Sequence, residues 1–350
     1  REQQRVPVVG GYTSRSGGTT GAPRFSVYGG DEWETMIARS VDVMRAAGLR
    51  RGDRVANCLT AGDLYGSFVS FDHINVRVGA TSFAFAASGT PEAFVNAWRE
   101  FGINVVQAMP SYLIPLLRQA RAIDSSLKFE TLIYGGMPLT RTDAAWLAGE
   151  VGVKRFAAIL GANDGGPIGF QCEALSGAEY HLVDDFNFVE IVSPAGARAP
   201  DGAMGRILIT SLGKRAYPLI RYEIGDLGRI LAGTCRCGRT NRRLELCGRI
   251  EDQVDWRGVA FTFAEIARVA DECGISQVQV VVEEERLVLR LEHAGDPSAA
   301  ERVREGVAAL LSARMDGRPF ALVGESYEPG GLPRKPGSVK VAPVIDTRSR

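Results

Sequence analysis

The chain has 350 residues, 45% hydrophobic and 23% charged, enough for a sizeable core and more than one average domain. Its 41 basic and 41 acidic residues cancel, so no global field favours nucleic acid or a membrane surface, and no apolar run is long enough to span a bilayer. Six cysteines are too few for a disulfide scaffold, which argues for a reducing cytoplasm.

No signal peptide opens the chain, and Arg1 in place of an initiator Met leads us to expect trimming or missing upstream residues. The first element is a loop, "TSRSGGTTGAPRF" at residues 13–25. Glycine lets backbone N–H groups turn toward one point, and Ser or Thr adds short donors, which is how a chain holds a phosphate. The same composition also makes linkers. It is not the P-loop of NTPases, because Gly21 is followed by Ala22, Pro23 and Arg24 rather than Lys and Ser or Thr.

Apolar strand-like runs then alternate with amphipathic helices. "RVANCLT", "GATSFAF", "INVVQAMP", "TLIYGG" and "RFAAILG" read as buried strands. Between them "TPEAFVNAWREFG" is a helix, capped by Thr90 with Pro91 in its first turn, that puts Phe94, Trp98 and Phe101 on one face. "SYLIPLLRQARAI" and "TRTDAAWLAGEVG" behave alike. The alternation predicts an α/β fold with a large, doubly wound, mostly parallel sheet. From about residue 182 strands follow without helices ("FNFVEIV", "GRILITSL", "LGRILAG"), predicting a β-rich lobe over 182–248.

After "CGRIEDQVDWRG" the texture changes again. "FTFAEIARVADECG" is a helix, and "QVQVVVEEERLVLRLE" a hairpin alternating Val280, Val282, Leu287, Leu289 and Leu291. "SAAERVREGVAALLSARM" is a helix with Val303, Val307, Leu310 and Leu311 on one face, and "PFALVG" a closing strand. The expected division is a large domain over 1–248 and a small α+β domain over 249–350.

Asp226, in "YEIGDLGRI", stands at a strand-edge turn where a carboxylate either accepts ribose hydroxyls or caps its own turn. "LIYGGMPL" and "AILGANDGGPIGF" are strands ending in glycine loops, which suggest a ligand above their carboxyl ends. The second loop carries Asn163 and Asp164; the carboxylate suits Mg²⁺ bridging phosphates, or plain turn chemistry. Cys172, His181, Cys235 and Cys237 supply three thiolates and an imidazole, a complete tetrahedral zinc set, though buried free cysteine is the commoner meaning.

In order and spacing, "SGGTTG" (16–21), "GGMPL" (135–139), "GANDGGPIGFQC" (161–172), "RYEIGDLGR" (221–229), "CGRIEDQVDWRG" (247–258) and "LPRKPG" (332–337) resemble the adenylate-forming acyl- and aryl-CoA synthetases, most of all their phenylacetate–CoA ligase branch. The resemblance implies ATP-dependent activation of a carboxylic acid, preferably an aryl acid, as an acyl-adenylate. The acyl group then passes to CoA. Alternatives are transfer to a carrier protein or amine, and a degenerate nucleotide-binding protein without turnover.

It further implies that Ser16, Gly17, Gly18, Thr19, Thr20 and Gly21 hold the β- and γ-phosphates of ATP. Gly135, Gly136, Met137, Pro138, Asn163 and Asp164 complete the nucleotide site with Mg²⁺, Asp226 holds the ribose, and Arg249 follows it near a hinge at Glu251 or Asp252. Tyr65, Phe68, Phe71, His73 and Tyr112 fall in substrate-facing segments. Residues 249–350 become a mobile lid. A cytoplasmic enzyme is expected, with a homodimer as one assembly.

The chain departs from the family at four places: Asp164 for a glutamate, Leu160 for an aromatic, Ala22 for a lysine, and Ser338 for the lysine that meets the α-phosphate. Of the five lysines (Lys128, Lys154, Lys214, Lys335, Lys340), Lys340 is the expected replacement, since two residues on it shares the side of an extended segment. The branch also carries roughly eighty residues ahead of the loop.

Overall fold

The computed structural model describes residues 8, 10–15, 24–275, 277–293, 297–315, 318–328, 331–333 and 341–348. They divide into two compact units, one over Arg1–Leu139, Trp146–Ile224 and Gly228–Leu246, the other over Cys247–Arg350 with Thr140–Ala145 and Gly225–Leu227.

The larger unit opens with an antiparallel hairpin, β1 (Tyr12–Arg15) and β2 (Phe25–Tyr28), whose register sets Arg15 opposite Phe25 on either side of residues 16–23. Helix α1 (Gly30–Ala46) follows and buries Trp33, Met36, Ile37 and Met44. Then come β3 (Arg54–Cys58), α2 (Ser67–Val78), β4 (Thr81–Ala84), α3 (Pro91–Phe101), β5 (Val105–Ala108), α4 (Pro110–Ile123), β6 (Thr131–Gly135), α5 (Arg141–Trp146) and β7 (Arg155–Ala162). The strands β4-β3-β5-β6-β7 lie side by side, all parallel. Every residue of β5 is buried, as a strand with helices on both faces requires.

Helix α3 starts where Thr90 Oγ1 accepts the Ala93 N–H (3.2 Å) beside Pro91, and ends at Gly102 with φ +62°. Phe94 is buried, but Phe101 is 52% exposed, against the single buried face expected. It stands on the last helical residue and meets the Phe83 ring (centroids 5.1 Å) while its other side faces solvent.

After β7 no helix separates the strands β8 (Gly166–Phe170), β9 (Glu179–Leu182), β10 (Asn187–Val192), β11 (Gly205–Ser211), β12 (Tyr222–Leu231) and β13 (Arg243–Arg249), and the pairs β7·β8, β8·β9, β9·β13 and β10·β11 are antiparallel. They extend the same sheet to eleven strands, in the order β10-β11-β12-β13-β9-β8-β7-β6-β5-β3-β4. The β-rich segment is therefore the antiparallel half of one mixed sheet.

In the smaller unit, β14 (Gln253–Trp256) and β15 (Val259–Thr262) form a tight hairpin. Its two turn residues, Arg257 and Gly258, both take positive φ (+55° and +79°), which a primed hairpin turn demands. Thr262 then caps α6 (Phe263–Glu272) reciprocally with Glu265. A second sheet joins β16 (Gln277–Val282), β17 (Arg286–Glu292), β18 (Ala321–Tyr327) and β19 (Val344–Asp346) in the order β18-β17-β16-β19, with α7 (Pro297–Ser312) between β17 and β18. Val280, Val282, Leu287, Leu289 and Leu291 all face its core with Val303 and Val307, as their alternation predicts. Among the described residues no helix is long and apolar enough to cross a membrane.

Candidate functional site

Ser16, Gly17, Gly18, Thr19, Thr20 and Gly21 lie outside the described residues, but both flanks of their loop are held. On one side Asn163 Nδ2 donates to the Arg15 carbonyl (2.6 Å), and the Arg15 N–H donates to Leu64 (3.0 Å). On the other, the Ser26 hydroxyl lies 3.3 Å from the Asp164 carbonyl, and Arg24 Nη1 donates to the Tyr222 hydroxyl (2.8 Å). Tyr222 in turn donates to Asp164 Oδ2 (2.7 Å). The loop is thus tied at both ends to Asn163 and Asp164, just past the carboxyl end of β7. The carboxyl end of a strand is the usual ligand position of an open α/β sheet.

A lysine that lies in no motif contacts this arrangement from inside the protein. Lys214 is only 3% exposed, and its ammonium donates to Ser26 Oγ (2.6 Å) and to the Asp164 carbonyl (2.7 Å). It also lies 4.0 Å from the centroid of the Tyr28 ring. Burial pushes the ammonium down to about 8, against the smaller pull of Asp164 and Glu32 in the other direction. Burial likewise pushes the Tyr28 phenol up. Glu32, in the first turn of α1, fixes the segment that carries Lys214: its Oε1 accepts the backbone N–H groups of Arg215 and Ala216 (2.7 Å for the latter), and its Oε2 that of Gly29 (2.8 Å). Tyr222 belongs to a motif already noted; Lys214 and Glu32 carry no motif, and only their burial reveals them.

Gly135 ends β6, and Gly136, Met137 and Pro138 follow it exposed beyond the strand. Gly136 has φ +77°, a conformation that L side chains rarely adopt. Asp226 lies on β12 and accepts from Arg249 Nη1 (3.1 Å). Gly225 beside it has φ +89°, which favours glycine, and a Cβ there would meet the tip of the flexible Arg249 guanidinium at 3.1 Å. Burial raises the Asp226 carboxyl, with Arg249 opposing. Lys340, Lys335 and Ser338 lie outside the described residues.

The aromatic candidates do not form one cluster. Tyr65 lines a cavity of about 220 Å³ with Tyr12, Tyr28 and Trp33, next to the hairpin that flanks the glycine-rich loop. His73 Nδ1 accepts from Trp33 Nε1 (3.3 Å). Phe68 is half-buried on α2 and Phe71 packs against the α1 core. Tyr112 belongs to the core on the sheet's other side and donates to the Gly89 carbonyl (2.8 Å). A larger cavity, about 1010 Å³, is lined by Arg54, Asn104, Glu130 and Lys154 among others. These stand at the amino ends of β3, β5, β6 and β7, the edge opposite the ligand position, so we give it no part in the chemistry. Cys172, His181, Cys235 and Cys237 converge elsewhere in the unit, their ligand atoms all within 4.8 Å of one another.

No protein-family model matches the chain. It is 32% identical over 254 residues to the phenylacetate–coenzyme A ligase of Pseudomonas putida, covering 70% of this chain and 56% of that one. Its identity to the Escherichia coli K12 phenylacetate–coenzyme A ligase is 30% over 254 residues, with the same shares. The chain therefore spans about half the length of the curated relatives it matches. Among solved structures, 2-hydroxyisobutyryl-CoA ligase in complex with 2-HIB-AMP superposes with TM-score 0.77 at 22% identity, covering 96% of this chain and 73% of that one. ATP-bound MatB from Rhodopseudomonas palustris gives TM-score 0.68 at 15% identity, covering 95% and 66%. Sequence and fold agree that the chain belongs to the adenylate-forming acyl- and aryl-CoA synthetases, on their phenylacetate–CoA ligase-like branch.

Proposed function

We propose that the chain activates a carboxylic acid, with an aryl acid favoured, by ATP-dependent adenylation and passes the acyl group to a thiol, foremost that of CoA. The observation that carries this reading is the double anchoring of the glycine-rich loop to Asn163 and Asp164 at the carboxyl end of β7. The names of the relatives, phenylacetate–coenzyme A ligases, support the class of reaction.

A carboxylate is a poor electrophile. Its oxygen first attacks the α-phosphate and pyrophosphate leaves; the thiol then attacks the acyl carbon and AMP leaves. Charge builds on phosphate oxygens in the first step, which backbone N–H groups of residues 16–21 and a cation must stabilise. Asp164, the single carboxylate at the loop, fits Mg²⁺ held mainly by phosphates, and the ion would supply charge neutralisation there. Asp226 would accept the ribose hydroxyls with Arg249 orienting it, and Gly135 to Pro138 would face the adenine. Tyr65, next to the loop, is the first candidate to touch the acid, ahead of Phe68, His73 and Tyr112. Residues 249–350 would act as the lid that excludes water from the activated intermediate, with Lys340 as counter-charge. A carrier-protein thiol or an amine is the alternative acceptor, and a homodimeric assembly and a cytoplasmic location complete the proposal; the six cysteines, none in a disulfide, accord with the last.

Incubation with ATP, labelled pyrophosphate and a panel of carboxylic acids tests it. Acid-dependent exchange of label into ATP is the expected result, whereas ATP binding without exchange under any acid would leave a nucleotide-binding protein without turnover. In the same assay Lys340→Ala should abolish exchange; wild-type exchange would remove Lys340 from the chemistry. Asp226→Ala should weaken ATP binding by about 1.5–3 kcal/mol, the range for charge-assisted hydrogen bonds. Unchanged affinity in calorimetry would leave Asp226, which lies within β12 rather than at the strand-edge turn expected, as the structural partner of Arg249 alone.

A further inference from the structure

We infer that Cys172, His181, Cys235 and Cys237 form a structural zinc site that clamps two connections of the large sheet together. Cys172 lies just after β8 and His181 on β9, while Cys235 and Cys237 belong to the connection between β12 and β13. Chain separations of 63 residues between Cys172 and Cys235, and 56 between His181 and Cys237, are closed to direct contact. The spacings match a metal better than a bond. Cys172 Sγ and Cys235 Sγ are 3.8 Å apart, far beyond a disulfide of about 2.05 Å. Zinc–sulfur bonds of about 2.3 Å arranged tetrahedrally put neighbouring sulfurs about 3.8 Å apart. Cys237 Sγ lies 3.3 Å from His181 Nε2, again the edge of such a tetrahedron.

The backbone is shaped for the same purpose. Cys172 and Cys235 each open a turn closed by a backbone hydrogen bond three residues on, Leu175 N–H to the Cys172 carbonyl (3.2 Å) and Gly238 N–H to the Cys235 carbonyl (3.0 Å). Gly238 supplies the positive φ (+80°) that its turn needs. The Ala174 N–H points at Cys172 Sγ (3.3 Å) and so fixes where the sulfur stands. Three of the four ligands are buried, with His181 0% exposed, Cys172 3% and Cys235 6%, while Cys237 is half-buried. Three thiols and an imidazole on one point leave no open position, which fits zinc in a structural role. Cys172 follows the end of β8 whereas Asp164 precedes its start, so the site is placed to stabilise the sheet rather than to take part in acid activation.

Metal analysis of wild-type protein, expressed with zinc supplied and freed of loose metal, should find about one zinc per chain. Cobalt exchanged into the site should show the intense visible bands of tetrahedral thiolate coordination, and a strong chelator should lower the melting temperature by several degrees. Cys235→Ser with Cys237→Ser should lose the metal; should that variant fail to fold, the stoichiometry and the cobalt spectrum of the wild type still decide. Wild-type protein without zinc, or a double variant that keeps it in full, overturns the assignment. Mass analysis finding a Cys172–Cys235 disulfide in freshly purified protein would do the same.

Discussion

Glu32→Ala should lower the folding stability of the larger unit by about 2–3 kcal/mol, the upper range for leaving buried N–H donors without a charged acceptor. The carboxylate is 3% exposed and accepts backbone N–H groups of Gly29, Arg215 and Ala216. Alanine leaves those donors without an acceptor and removes one of the two negative charges, with Asp164, that pull on Lys214. Glu32→Gln keeps an acceptor and should cost less. Urea unfolding followed by tryptophan fluorescence reads both, because Trp33 lies on the same turn of α1. A loss under about 1 kcal/mol for Glu32→Ala would mean that water reaches these donors.

Lys214→Met should change the pH dependence of stability more than its value at any one pH. In the folded chain burial holds the ammonium near 8, whereas an exposed lysine titrates at 10.5. Between those values the unfolded chain binds more protons, so stability rises with pH; below the window the cost of burying the charge is carried in full. Wild type should therefore gain about 2 kcal/mol on Lys214→Met between about pH 7 and pH 9.5. Measuring the difference removes Tyr28, which titrates in both proteins and whose raised phenol weakens folding only above the ordinary tyrosine range. A difference that stays flat across the window would show that the ammonium remains charged and well solvated. Lys214 holds the Asp164 carbonyl and Ser26 rather than a reacting atom, so it is a positioning residue. Pyrophosphate exchange by Lys214→Met should fall, and the pH profile of what remains should lose any limb near 8.

Sequence carried the alternation of the parallel half, the hairpin and helices of the smaller unit, and the convergence of three cysteines and a histidine separated by up to 65 residues in "QC" to "CRC". Periodicity reports which face of an element is apolar, and that suffices for Val280 to Leu291. It does not report where an element ends relative to the core, hence the exposed Phe101. Helix α1 is written in the spacing of Trp33, Met36, Ile37, Val41 and Met44, but the strand runs organise the reading and pass over it. Strand β19 has only three residues and exists through parallel pairing with β16, so no local signal marks it. Lys214 fails for a different reason. Its partners are 188 and 50 residues away, and a lysine among Gly213, Arg215 and Tyr217 reads as a solvated loop until the fold removes the water. Neither motif nor period encodes a buried charge.

The central claim is that the acid's own oxygen displaces pyrophosphate from ATP, and one isotope experiment tests it most directly. An acid that supports pyrophosphate exchange is prepared with heavy oxygen in its carboxylate and turned over with ATP and CoA. If an acyl-adenylate forms and the thiol then attacks its carbonyl carbon, the bridging oxygen stays with phosphorus. The AMP released should carry one heavy oxygen, detected by mass spectrometry. Label appearing in inorganic phosphate alongside ADP, with none in AMP, would contradict the account, because it would mean attack on the terminal phosphate of ATP.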